Sequence, residues 1–377
     1  MATLGEIFRQ YGPAYVKEFG GSMPAAHRQV LEVLQRCRTG ELGYSLYRCT
    51  DCGTLQPVPR SCGNRHCPNC QASKSQQWLD RQMERRLPCP YFLLTFTVPQ
   101  ELRRLVRSNQ RVGYEALFQS SIAALRKLAA DDRYVGATEL GLLAVLHTWG
   151  RDLVYHPHVH MLVPAGGLSG DGCQWCPARA QFLVPVEALS VIYRAKMRAA
   201  FRAAGLDAQI DPAVWDGDWV VHCEAVGDGQ NCLRYLGRYV FRVAISNHRI
   251  VSCDDGQVVF QYQKTGSRRW RRMTLDAQEF IRRFLQHVLP SGFLRVRHYG
   301  FLHPQAKRTP AEIGQLIEAY YDGLVEQLPE DPAGSEADWP EPSDTEASAA
   351  AVCPKCGGPL ELFRQKLACP VLAPDTG

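Results

Sequence analysis

Two Cys-x2-Cys pairs, Cys49/Cys52 and Cys67/Cys70, stand fourteen residues apart near the start of a 377-residue chain, separated by a Gly- and Pro-rich stretch. Such a stretch has too little apolar surface to fold by itself. Two cysteine knuckles can close a tetrahedral thiolate site, and the metal then does the work of a core. Seven of the fifteen cysteines fall before residue 90 and recur as Cys-x2-Cys. In a reducing compartment that pattern points to zinc rather than disulfides. The expectation is one zinc-ribbon-like module closed by Cys49, Cys52, Cys67 and Cys70, holding a DNA- or partner-contacting surface. Cys37, Cys62 and His66 are further candidate ligands, for a second ion or as plain loop residues beside the first. Cys173 and Cys176 form a lone pair in a loop. Cys353, Cys356 and Cys369 give only three ligands, which reads as a half-site or a remnant.

Charge and composition organise the rest. Thr309 to Pro354 holds eleven acidic residues and no Lys or Arg; setting it aside raises the formal charge of the remainder from +5 to +16. A body that basic suits a polyanionic partner. The acidic stretch itself cannot bury enough apolar surface to fold and reads as a linker. Four segments follow: 1–85 zinc-binding, 86–305 alternating apolar strands with helices, 306–350 a short helix and linker, and 351–377 a Cys-containing tail. No apolar run is long enough to span a bilayer, and MATLGEIFRQYGPAY lacks the pattern of a secretory signal. The expectation is a cytoplasmic, nucleoid-associated bacterial protein with no membrane partner.

Three strands matter in the central segment. Tyr91 to Val98 alternates, with Phe92, Leu94, Phe96 and Val98 on one face. Leu140 to Thr148 is more fully apolar. Pro157 to Val163 puts His158 and His160 on one face, about 7 Å apart, where two imidazoles can grip one divalent ion. A lone His-x-His is equally an ordinary strand pair. Helices are expected at Ala25–Arg38, Gln110–Ala130, Pro185–Ala204, Asn231–Ile245, Leu275–Val288 and Pro310–Gln327. In the fourth of these, Tyr235 and Tyr239 lie at i and i+4 on one face, which Arg242 extends. Leu233, Leu236, Val240 and Val243 form an apolar stripe to the side. Taken alone, two tyrosines at the edge of a buried helix is the commoner fate. Gly237 in mid-helix costs roughly 1 kcal/mol relative to Ala and hints at close approach of a neighbour.

Together, the order TFTVP strand, His-hydrophobic-His strand and paired-tyrosine helix resembles the HUH endonucleases of rolling-circle replication and transposition. The closer resemblance is to the two-tyrosine transposases of the insertion-sequence family numbered ninety-one. It rests on CRTGELGYSLYRCTDCG and SCGNRHCPNC, LHTWGRDLVYHPHVHMLVPAGGLS, YLGRYVFRVAISNHRI and MTLDAQEFIRRFLQHVLPSGFLRVRHYG. The resemblance implies an α+β fold: a central, mostly antiparallel sheet flanked by helices, behind the zinc module. It implies that His158 and His160 ligate Mg2+ or Mn2+, which polarises a scissile phosphate. It implies that Tyr235 and Tyr239 are nucleophiles giving a 5′-phosphotyrosine and a free 3′-OH, on single-stranded DNA at element ends and on target DNA. The third metal ligand is taken to be His147, ahead of His156, Asp152 and Gln230.

DNA contact is expected at Lys264, Arg268, Arg269, Trp270, Arg271 and Arg272, where basic residues interleave with an aromatic, and at Arg238 and Arg242 on the tyrosine helix. The plainer reading is a solvated basic hairpin. Within the same chemistry the rival is a plasmid replication initiator or relaxase, and the zinc block and YLGRYVFRVAIS favour the transposase. Outside it, the rival is a non-catalytic zinc DNA-binding regulator, which has no use for the histidine and tyrosine pairs. A carboxylate-triad transposase is disfavoured because no such triad is needed to explain any feature of the sequence, although scattered Asp and Glu could still converge.

Overall fold

The computed structural model of the protein describes residues 2–240, 244–263, 267, 269–321 and 352–367; the side chains of 72–74, 238–239 and 365–367 are not among them. The chain opens with α1 (Leu4–Phe19), α2 (Ala25–Gln35), β1 (Tyr44–Cys49), β2 (Leu55–Pro59) and α3 (Pro68–Glu84). It continues through β3 (Tyr91–Thr97), α4 (Gln100–Ser108), α5 (Gln110–Ala129), β4 (Leu142–Trp149), β5 (Tyr155–Pro164), β6 (Gly166–Leu168), β7 (Trp175–Pro177) and α6 (Val186–Ala203). Then come β8 (Val221–Ala225), α7 (Gln230–Val240), β9 (Ile250–Asp254), β10 (Gln257–Gln263), β11 (Trp270–Asp276), α8 (Ala277–Leu285), β12 (Val296–Tyr299), α9 (Pro310–Tyr321) and β13 (Leu360–Leu367).

The fold is α+β, built on a five-stranded sheet of order β12-β4-β5-β3-β8 whose neighbouring pairs are all antiparallel. Strand alternation assigns its two faces. Phe92, Leu94 and Phe96 of β3 and Val159, Met161 and Val163 of β5 point into the larger core, beneath α4, α5 and α6. Leu93 and Leu162 point the other way, into a core shared with α3, α7 and α9. β4 is buried along its whole length, because an interior strand covered on both faces has no wet side. That is why its sequence is apolar without alternation.

Pro157 sits near the start of β5, where it cannot donate to a ladder. Its register with β4 shifts between His147 and Trp149, and an irregularity of this kind is where a sheet tolerates proline.

A third core joins distant parts of the sequence. α1 and α2 pack with α8 and the β9-β10-β11 sheet around Phe8, Leu31, Phe260, Phe280 and Phe284, together with Cys37 and Cys67. The N-terminal residues therefore share their hydrophobic interior with residues 244–288. β13 is antiparallel to β1, giving a small sheet of order β13-β1-β2. Helix α7 is described only to Val240, so the remainder of the expected Asn231–Ile245 helix falls largely on 241–243, outside the described residues. The part of the Pro310–Gln327 helix after Tyr321 is likewise outside.

Candidate metal and tyrosine site

Residues from two adjacent strands meet on the α7 side of the sheet. His158 lies opposite His147 on β4 and opposite Thr97 on β3, and His160 lies opposite Thr95. The ring centroids of His147 are 5.2 Å from His158 and 4.6 Å from His160, and those of His158 and His160 are 4.9 Å apart. One ligand nitrogen from each of the three can be chosen so that all lie within 4.8 Å of one another. Three imidazoles converging at this spacing are a donor set that fits one divalent cation.

Two hydrogen bonds orient the rings. His158 Nδ1 is 2.7 Å from the carbonyl of His156, to which it donates, leaving Nε2 as the ligand atom. His160 Nδ1 is 2.9 Å from the Thr95 hydroxyl, which likewise leaves Nε2 for a metal. Burial pushes the imidazole of His158 down to about 4, and those of His147 and His160 well below the ordinary value. Neighbouring imidazoles add to the effect in all three. The rings stay neutral near pH 7 and keep the lone pairs a cation needs.

Tyr235 reaches this cluster from α7. Its ring centroid is 6.0 Å from that of His160, with the rings perpendicular. Leu233, Leu236 and Val240 are buried on the core side of the helix, while Tyr235 is half-buried at the edge of that core. α7 is held by the zinc-binding region: the Ser75 hydroxyl of α3 donates to the carbonyl of Gly237 at 2.6 Å. A methyl on Gly237 would stand 3.4 Å from the indole of Trp78. That is ordinary van der Waals contact, so Trp78 packs beside Gly237 without requiring a glycine there. The side chains of Arg238 and Tyr239, and all of Arg242, lie outside the described residues, as do Val243, Lys264 and Arg268. Of the other candidate ligands, none joins the cluster: His156 supplies its carbonyl, Asp152 accepts from the amide of Val154, and Gln230 contacts Arg234.

The cysteines are arranged differently from the single four-thiolate site expected. Cys67 and Cys70 cluster with Cys37 and Cys62, whereas Cys49 and Cys52 cluster with Cys353 and Cys356. The two Cys-x2-Cys pairs do not share a site, because β1 and β2 carry the first pair away from α3, which begins at the second. Sequence distance along the Gly/Pro stretch did not reveal that separation. The tail is no isolated remnant: Cys353 and Cys356 supply two of the four thiols in the cluster with Cys49 and Cys52, and Cys369 falls outside the described residues. His66 is not a ligand. It is buried, and its ring spans from the Asn64 side chain at 3.1 Å to the amide of Leu289 at 3.2 Å. Cys173 and Cys176 join neither cluster.

Arg269, Trp270, Arg271 and Arg272 are exposed along the β10–β11 hairpin. A second basic feature is not apparent from the sequence. Arg103, Arg104 and Arg107 of α4 and Arg282 and Arg283 of α8 line a cavity of about 510 Å³ with Tyr155 at the start of β5. The Nε of Arg103 is buried with no hydrogen-bond partner among the described residues, and its charge reaches His156 and His158. The signal is present as QELRRLVRS and FIRRFLQ, but about 180 residues separate them. Only the tertiary fold makes them one surface.

Comparison with known proteins supplies the class. Residues 141–310 match the family described as "Putative transposase", and residues 7–98 match the transposase zinc-binding domain. The chain is 39% identical over 320 residues to "Putative transposase y4qJ" of Sinorhizobium fredii, covering 79% of this chain and 80% of that one. It is 27% identical over 346 residues to the transposase for insertion sequence element IS801 of Pseudomonas savastanoi pv. phaseolicola, covering 84% and 78%. No solved structure matches. These matches define a transposase. The chain belongs to the IS91 family of insertion-sequence transposases, with that family's zinc-binding domain at its N-terminal side. Among the described residues no helix is long and apolar enough to cross a membrane.

Two outcomes follow from the histidine pocket. Thr95→Val removes the partner of His160 Nδ1 and should weaken Mn2+ binding by about 10–100-fold, read by calorimetry, with zinc content unchanged; an unaltered affinity refutes the orienting role. The buried imidazoles also set a pH dependence. In the unfolded chain they titrate near 6.5, whereas in the fold burial holds His158 near 4 and His147 and His160 well below their ordinary value. Below pH 6.5 the unfolded chain therefore binds protons that the folded chain refuses. Stability in magnesium-free buffer should be full above pH 6.5 and fall by on the order of several kcal/mol toward pH 4.5, measured by urea unfolding. A flat profile contradicts it.

Proposed function

We propose that this transposase is a metal-dependent HUH-type nuclease that nicks and rejoins single-stranded DNA at the ends of its element. The observation that carries the reading is the meeting of three neutral imidazoles with the Tyr235 ring on one side of the sheet. His147, His158 and His160 would hold Mg2+ or Mn2+, which when bound polarises the scissile phosphate and stabilises the charge that develops on it. The phenol oxygen of Tyr235 attacks phosphorus, the bond to the 3′ oxygen breaks, and a proton passes to that oxygen. The products are a 5′-phosphotyrosine and a free 3′-OH. The linkage conserves the energy of the broken bond, so rejoining needs no nucleotide cofactor. Tyr239, one helical turn further on, is the second nucleophile of the proposal, able to hold one end while another strand is cut.

Half-burial of Tyr235 suits this role. A fully buried phenol could not reach DNA, and a fully exposed one would not be positioned. The zinc-binding region contributes through α3, which is preceded by the N-cap Cys67 and carries Cys70 in its first turn, and whose middle packs on α7 through Ser75 and Trp78. The arginine-lined cavity beside β5 is the proposed track for the phosphates flanking the cleaved bond. The exposed Arg269–Arg272 hairpin is an additional contact, with Trp270 available for stacking on a base.

Cleavage of labelled single-stranded element ends in Mn2+ tests the chemistry. His158→Ala or His160→Ala should abolish nicking with zinc content retained, and replacing Tyr235 and Tyr239 together with Phe should abolish the covalent protein–DNA species while leaving DNA binding. A double Phe variant that nicks at the normal rate excludes Tyr235 and Tyr239 as nucleophiles; a wild-type protein that shifts DNA but never forms an adduct favours the regulator.

The arginine track has its own readout. Arg103→Gln with Arg107→Gln should weaken single-strand binding and reduce the slope of log affinity against log salt by about 0.7 for each phosphate no longer neutralised. An unchanged slope removes the cavity from the DNA path.

A further inference from the structure

The C-terminal tail brings two cysteines to the start of the sequence. β13 runs antiparallel to β1, with Cys49 opposite Leu360 and Arg48 opposite Glu361, and the Arg48 guanidinium lies 3.8 Å from the ring centre of Phe363. Immediately before β13, Cys353 and Cys356 face Cys49 and Cys52. The sulfur atoms of Cys49 and Cys356 are 3.4 Å apart and those of Cys52 and Cys353 are 3.7 Å apart, with all four within 4.8 Å of one another. These spacings are far beyond an S–S bond of about 2.05 Å. They are close to the edge of a tetrahedron of thiolates, about 3.8 Å when each Zn–S distance is about 2.3 Å.

The two halves repeat one local motif, Cys-x2-Cys-Gly. Gly53 and Gly357 both take the left-handed conformation, with φ of 71° and 78°, which a residue with a side chain adopts only under strain. Each glycine amide donates back to the carbonyl of the first cysteine, Gly53 to Cys49 at 3.0 Å and Gly357 to Cys353 at 2.8 Å. The amide of Cys52 also points at the Cys49 sulfur, at 3.5 Å. The knuckles approach so closely that a methyl on Gly358 would collide with the Asp51 carboxylate. The amide of Thr50 donates to the carbonyl of Pro359 across the junction.

We propose that Cys49, Cys52, Cys353 and Cys356 hold a zinc ion of their own, distinct from the one at Cys37, Cys62, Cys67 and Cys70, and that this ion clamps the tail onto the N-terminal module. The zinc-binding match ends at residue 98, so half of this ligand set lies some 250 residues beyond it. Neither Cys-x2-Cys pair can complete a tetrahedron alone, and each supplies what the other lacks. Docking of the tail and metal binding are therefore one event. The acidic segment that precedes the tail is then tied at both of its ends, to α9 on one side and to the clamp on the other.

Elemental analysis and native mass spectrometry of the purified full chain should find two zinc ions. Cys353→Ser with Cys356→Ser should hold one. Cys52→Ser with Cys353→Ser should also hold one, because both residues serve the same ion, and Cys62→Ser with Cys70→Ser should lose the other. A wild-type chain with a single ion, or a tail variant that retains two, overturns the clamp. A second arm needs no cysteine variant: a protease site is placed within residues 330–345 and the zinc-loaded protein is cleaved. The tail fragment should co-elute with the body in gel filtration and separate once a chelator strips the zinc. A fragment that leaves before chelation, or stays after both ions are gone, overturns the proposal.

Discussion

Three imidazoles converge largely buried on the α7 side of the sheet and stay uncharged there, and much of the central architecture contributes to that burial. A protonated cluster at centroid separations near 5 Å would repel itself and any cation. Burial supplies the penalty that keeps the rings neutral, and the sheet supplies the burial. β4 and β5 are interior strands, and on the α7 face His147 and His160 are buried while His158 keeps partial exposure. The irregularity at Pro157 turns the His156 carbonyl toward His158, and Thr95 on the other neighbouring strand fixes His160. Each of these two rings is thereby held by a group outside its own side chain.

The same geometry explains why a zinc-binding region accompanies this site. α7 is short, carries a mid-helix glycine, and ends its described length at Val240. Its position is imposed from outside, by Ser75 and Trp78 of α3 and by Arg295, whose guanidinium lies 3.4 Å from the Val240 carbonyl. α3 begins directly after its N-cap residue Cys67, a member of one thiol cluster. On the proposed reading, zinc sets the start of α3, α3 sets α7, and α7 presents Tyr235 to the histidines. The N-terminal region shares a core with residues 244–288, so it is packed into the rest of the transposase rather than appended to it.

Much of this was legible in the sequence where one element carries the signal. The alternation of Tyr91–Val98 and the apolar run before His147 identify strands. The period of Pro185–Ala204 and Gln110–Ala130 identifies helices that the structure bounds as Val186–Ala203 and Gln110–Ala129. What was not legible depends on contacts between distant segments. Nothing near Cys49 says that its partners are Cys353 and Cys356, since spacing along the chain reports only local knuckles. His66, adjacent to Cys67, was a candidate ligand that could equally be a plain loop residue, and residue type does not decide between them; its ring turns toward the Leu289 amide. The arginines of α4 and α8 are each an ordinary amphipathic face until the fold sets them around one cavity.

The central claim is that the three histidines and Tyr235 share one reacting phosphate. A crystal structure of the protein with a single-stranded element end and Mn2+, with data collected at a wavelength where manganese scatters anomalously, addresses it directly. The account predicts an anomalous peak among His147, His158 and His160, a phosphate oxygen bound to it, and the Tyr235 hydroxyl in line with the phosphorus. A peak elsewhere, or a phosphate at the metal with Tyr235 turned away from it, would contradict the account.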